Sequence, residues 1–239
     1  ASAGGLCSPA LAPPTTAGSP TAANSGFRWG LLVFIVAVVP IVSVNTNYVI
    51  SARADLIPDC FVYLDGCTSI SATGRYGVSY WLFKAFMLPQ ALLLALFWRR
   101  LARGLPASGS RDALLIAGLV GAAFLVLYTV CLGSQGDVYR RMRRYGVFVF
   151  FLGSFIAQLL ATRRLARSGL TRRAQRFQQA LLLLMGMLAL AEIPLGTFGL
   201  QDDQAENVIE WNFSLAMQVW FASWLFVALP QREASARHD

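Results

Sequence analysis

Apolar residues in this chain come in long unbroken blocks rather than in the 3.6- or two-residue alternation of a half-buried element. The blocks cover residues 29–50, 78–98, 113–132, 145–161, 177–197 and 208–229. Each is roughly 17–23 residues long, the length a helix needs to cross a hydrocarbon core about 30 Å thick. The expected fold is therefore all-α: an integral membrane bundle of six transmembrane helices over residues 27–230. Residues 1–26 are rich in Ala, Ser, Pro, Thr and Gly and carry no charge and no apolar run. They read as a disordered tail and not as a signal peptide. Residues 231–239 form a short polar tail.

Composition agrees with the blocks. Charged residues make up 13% of the 239-residue chain and mean hydropathy is +0.55. A soluble domain carries about 25% charged residues, and charge is what a bilayer excludes. The formal net charge of +8 is no nucleic-acid footprint, because the arginines collect at the ends of the apolar blocks. There they set orientation and meet anionic lipid. With six spans, both termini share a side. That side holds thirteen arginines and the other holds six, so the positive-inside rule predicts cytoplasmic termini. The loop between the first two spans, the third loop and the acidic fifth loop then face outside or a lumen.

Catalytic and metal motifs are scarce. The one histidine is His238, which excludes a Ser-His or Cys-His pair in the membrane body. The four cysteines form no CxxC, and no metal or cofactor is implied. Cys60 and Cys67 share the first outward loop, where a disulfide is permitted; a bridge is expected, with Cys131 as a competing partner. Pro40, Pro89 and Pro194 should bend their helices. Gln90, Gln158 and Gln218 suit hydrogen bonds between helices.

The candidate site residues gather toward the outward ends of the spans. Lys84, the single lysine, lies about 9 Å into the second span, and Glu192 lies at nearly the same depth in the fifth. A matched ionisable pair marks a functional site; the alternative is a snorkelling lysine and a separately placed glutamate. Glu210 and Trp211 enter the sixth span. Trp211 suits an interfacial anchor, and Glu210 suits either a helix N-terminus or a lipid-head pocket shared with Asn45, Lys84 and Glu192. Arg140, Arg141, Arg143 and Arg144 occupy the third loop, on the cation-poor side. They fit a phosphate clamp, or pairing with Asp202, Asp203 and Glu206.

Two short segments carry a resemblance. Cys67-Thr-Ser-Ile-Ser-Ala-Thr-Gly, at the entry to the second span, resembles the Cys…Ile-Ser…Gly entry of the FRAG/DRAM/Sfk superfamily. Asn207-Val-Ile-Glu-Trp-Asn-Phe-Ser resembles that superfamily's entry to its last span. The group includes the damage-regulated autophagy modulators and the factor that remodels GPI-anchor lipids. Where members place a histidine near the start of the fourth span, this chain reads Arg-Arg-Tyr-Gly at 143–146. The resemblance implies six spans and lipid handling. The expected activity is non-catalytic binding or organising of lipid at the outer or lumenal leaflet, with anionic or glycolipid head groups as partners. The alternatives are a lipid-remodelling enzyme using Glu192 or Glu210 as base, and a small transporter or scramblase. Polar groups concentrated in the outer half favour the first two.

Overall fold

The computed structural model describes residues 20–105, 111–168, 172–197 and 203–227, all of which are helical or connect helices. Six helices are long: α1 (Pro20–Arg53), α4 (Gly77–Gly104), α5 (Arg111–Cys131), α6 (Asp137–Ser168), α7 (Arg172–Thr197) and α8 (Asp203–Ala222). Two four-residue helices, α2 (Val62–Asp65) and α3 (Ile70–Thr73), occupy the loop between α1 and α4, and a 3-10 turn (Ser223–Phe226) continues α8. Four segments are long and apolar enough to cross a bilayer: Gly26–Arg53, Gly77–Gly104, Asp112–Cys131 and Asp137–Arg167. The protein is a multi-pass integral membrane protein. Apolar side chains such as Trp81, Leu92, Phe148 and Leu183 are exposed on its long helices, as they are when lipid is the solvent.

Four helices, α1, α6, α7 and α8, begin five or more residues before their apolar blocks. α1 starts at Pro20, because proline is favoured in a first helical turn, where its missing N–H costs nothing. α6 starts at Asp137, so Arg140, Arg141, Arg143 and Arg144 lie in its first two turns and not in a loop. Arginine is a good helix former, and Asp137 supports the start by pairing with Arg140 at 2.9 Å. α8 starts at Asp203, with Asp203 and Glu206 in its first turn, where carboxylates meet the positive end of the helix dipole. The tail segments 1–19 and 228–239 lie outside the described residues.

The six long helices close a ring. α1 packs on α4, α4 on α5, α5 on α6, α6 on α7, α7 on α8, and α8 returns to α1. One end of the ring carries the loop with α2 and α3, here the disulfide end; the other carries the C-terminal arginines of α4. Near that second end, Trp29, Phe97, Trp98, Trp220 and Phe221 join α1, α4 and α8 through ring contacts of 5.1–6.0 Å.

Polar groups inside the ring are spent on bonds between helices. α1 runs on through Pro40. Proline has no N–H, so the carbonyl four residues back, that of Val36, loses its helical donor. The Gln90 side chain of α4 donates to that carbonyl at 2.9 Å. Gln158 of α6 donates to the Met217 carbonyl of α8. A buried set also joins α6, α7 and α8: Trp220 Nε1 donates to Thr162 Oγ1, Thr162 to Gln178 Oε1, and Gln178 Nε2 to Ser223 Oγ.

α5 and α6 approach closely because glycine faces backbone. A Cβ on Gly153 would lie 2.9 Å from the Ala117 carbonyl and 3.1 Å from the Gly121 nitrogen. Neither can move without shifting a helix. Small residues permit such packing in lipid, where no hydrophobic drive joins helices. Gly153→Ala should destabilise by about 1–3 kcal/mol. Gly186→Ala, at a helical position with nothing within 4 Å of the new Cβ, should stabilise by about 0.5–1 kcal/mol. Thermal unfolding in detergent, followed by tryptophan fluorescence, checks both; equal shifts would remove the close-packing explanation.

Candidate functional site

The disulfide end is built from the loop upward. Cys60 and Cys67 form a disulfide, and Cys131 is a free, buried thiol. The bridge encloses α2, which ends on Gly66. Gly66 has φ +59°, and a Cβ there would lie 2.0 Å from the Gln204 carbonyl of α8. Only glycine meets both demands. The loop is tied to α1 by the Tyr48 hydroxyl, which accepts from the Cys60 amide at 2.7 Å and lies 2.6 Å from its carbonyl. Ser51 extends the tie by donating to the Thr73 carbonyl at 2.7 Å.

α8 fastens the loop from the other side. Asn207 Nδ2 donates to the Gly66 carbonyl at 2.8 Å, Trp211 Nε1 to the Thr68 carbonyl at 2.9 Å, and Asn212 Nδ2 to the Tyr63 carbonyl at 2.8 Å. The Ile70 amide donates to Glu210 Oε2 at 3.3 Å. Ile70 opens α3, and the Ser69 hydroxyl caps the same turn by accepting from Ala72. Glu210 is eight residues into its own helix, so it serves the N-terminus of α3 and not that of α8. Trp211 is fully buried between Tyr48 and Tyr63, with centroids 6.2 and 5.3 Å away. It is a core residue and not an interfacial anchor.

The other candidate residues separate. Asn45 Nδ2 donates to the Ile41 carbonyl and the Tyr63 hydroxyl at 2.8 and 3.0 Å, so it positions α2. Lys84 Nζ donates to the Tyr80 hydroxyl and, at 3.3 Å, to the Val130 carbonyl, and lies 4.1 Å over the Tyr80 ring. Val130 is the penultimate residue of α5, whose last carbonyls lack helical donors. Lys84 thus caps the negative end of α5. The Glu192 side chain lies outside the described residues. Arg140 pairs with Asp137, while Arg141 and Arg144 are exposed.

Arg143 is different. It is half-buried and lies one turn above Val147, on the α6 face that continues to Phe150 and Phe151. All three line a narrow cavity inside the ring, with Gln90, Tyr128, Glu210 and Gln218 among its polar lining. The centre of a water molecule can occupy about 40 Å³ of it, space for roughly three waters. Arg75 is half-buried after α3, close enough that its charge, with those of Arg143 and Glu210, reaches the buried hydroxyl of Tyr128, which lines the cavity. The Arg75 and Arg143 guanidiniums also act on each other. Arg75 Nη2 donates to Ser71 Oγ at 3.0 Å, but its buried Nε and the Tyr128 hydroxyl have no hydrogen-bond partner among the described residues.

Arg75 and Tyr128 escape sequence reasoning. Arg75 is one cation in a loop, and Tyr128 is one aromatic in an apolar block. A hint for Arg75 is its place one residue beyond the Ser-Ala-Thr-Gly turn, where α3 must stop. Compared with known proteins, the chain matches no family model, no curated protein and no solved structure.

The fastening of α8 to the loop has a measurable weight. Trp211→Phe keeps most of the ring and deletes the bond to Thr68. It should cost about 1–3 kcal/mol, because the buried carbonyl is left without its donor. Limited proteolysis should then cut near residues 56–68 faster than in wild type. An unchanged cutting rate would mean that the disulfide and Tyr48 hold the loop alone.

Proposed function

We propose that the protein binds lipid head groups at its disulfide end without chemical conversion, and that Arg75 and Arg143 form the phosphate clamp. The observation that supports this is the nearness of two half-buried guanidiniums to each other and to Tyr128 of the cavity lining, beside a buried Arg75 Nε and a Tyr128 hydroxyl that lack hydrogen-bond partners among the described residues. Like charges brought together out of water are costly unless an anion joins them. A lipid phosphate between two guanidinium forks meets that need. Glu210 offsets part of the positive charge, which suits a singly charged phosphodiester. Exposed Tyr139, Met142, Tyr145 and Phe148 on α6 provide apolar surface beside Arg143 for the acyl chains.

The same reading takes α7 and α8 as the fifth and sixth spans, with both termini in the cytoplasm and the disulfide loop outside or in a lumen. The arginine count by side and the disulfide support this orientation. The likeness of the Cys67–Gly74 and Asn207–Ser214 segments to the FRAG/DRAM/Sfk superfamily is consistent with it: in this fold those two segments are the ones joined by Trp211 and Glu210. A second reading, a lipid-remodelling enzyme, draws on Glu210 and Tyr128 lining one cavity.

Native mass spectrometry of protein released from mild detergent tests the clamp. Wild type and Arg141→Gln should each retain one phospholipid more than Arg75→Gln/Arg143→Gln. Equal retention in all three would overturn the proposal. A lipid altered in head group or acyl chain by wild type, and unaltered with Glu210→Gln, would favour the enzyme. Orientation has its own check. In spheroplasts of a bacterial host, a membrane-impermeant reductant should open the Cys60–Cys67 bridge; a bridge protected until lysis would reverse the orientation.

A further inference from the structure

At the end opposite the disulfide, α4 and α5 leave between them an open groove of about 660 Å³. Each wall is a stripe along one helix face. On α4, Leu92, Leu96, Arg99 and Arg103 follow one another at steps of four, three and four residues, which keeps them on one side. On α5, Leu115 and Leu119 face them, and Asp112 stands at the end. Both stripes are therefore apolar toward the bilayer centre and charged at the rim. From Leu92 to Arg103 the rise is about 16 Å, roughly one leaflet of a ~30 Å core.

Arg99 and Arg103 are exposed, and no ion-pair or hydrogen-bond partner holds either one among the described residues. Asp112 shares the groove without engaging them. It lies in the first turn of α5, where the helix dipole favours its charge. Among the described residues, the groove lining thus carries two positive charges and one negative. That excess of one matches a monoanionic phosphodiester, and the leucine walls match a hydrocarbon chain.

We infer that this groove is a second lipid site, in the leaflet opposite the disulfide loop. It holds one acyl chain of a singly charged anionic phospholipid, with the phosphate between Arg99 and Arg103. Basic pockets between membrane helices take anionic head groups in this way. The site is separate from the Arg75–Arg143 clamp in residues, helix end and leaflet, so neither depends on the other.

The probe is phosphatidylglycerol titrated into protein in phosphatidylcholine nanodiscs, with retained lipid counted by native mass spectrometry. Arg99→Gln/Arg103→Gln should retain it about thirtyfold less well, the loss expected for two arginines near an anionic surface. Leu119→Trp leaves every charge in place and fills the groove; it should also reduce retention. If the double variant does not fold, as judged by thermal unfolding, Leu119→Trp decides alone. The inference is overturned if Leu119→Trp retains the lipid as wild type does, because surface attraction then explains the binding. It is also overturned if glycerol phosphate displaces the lipid, because the ligand is then a free phosphate. Arg75→Gln/Arg143→Gln should leave retention at this groove intact.

Discussion

The fold depends on the bonds that α8 makes to the disulfide loop. They reinforce the direct packing of α8 on α1, the seam that closes the ring, by fastening α8 to the loop that leaves α1. Asn207, Trp211 and Asn212 each spend a side-chain N–H on a loop carbonyl, and Glu210 answers the first amide of α3. Gly66 lets the two backbones meet. The inner cavity is walled in part by this seam: Ile70 and Glu210 belong to its lining.

A second constraint is that a buried backbone group in lipid must find its partner inside the protein. Pro40 and Gln90 show the rule at its clearest. The proline breaks one bond in α1, and a side chain from α4 restores it at the Val36 carbonyl. The break becomes a joint between helices. Lys84 repeats the logic at the end of α5, where a cation meets a carbonyl that its own helix leaves open. A charge that reads as chemistry in the sequence is thereby engaged in structure.

Much of the architecture was legible in the sequence. Long apolar blocks located every long helix, because a bilayer leaves few other readings of such blocks. The Cys60–Cys67 bridge followed from two cysteines in one loop. Glutamines were rightly assigned to helix contacts for Gln90 and Gln158. Helix starts were not legible, since Arg140–Arg144 look like a loop by charge although they continue α6 by propensity. The proposed clamp was only half visible. Arg143 was one of four similar arginines, and what distinguishes it is its face of α6, opposite Tyr128 and Arg75. That selection is a property of three elements packed together, and no local pattern encodes it. Asn45, Lys84 and Glu210 were candidates for one head-group pocket, yet they bond to different neighbours, because position along a helix says nothing of direction around it.

The contacts that shut the seam join residues 140–149 positions apart in the chain. During synthesis the loop and its disulfide are made long before α8. Until residues 207–212 emerge, the carbonyls of Tyr63, Gly66 and Thr68 and the amide of Ile70 wait without these partners, and the cavity lacks one wall. The four most apolar helices can enter the bilayer on their own hydrophobicity, but the finished ring must await the last helix. The ring is therefore completed last: in a chain that ends before residue 207, four backbone groups of the disulfide loop lack the partners that fasten them in the finished fold.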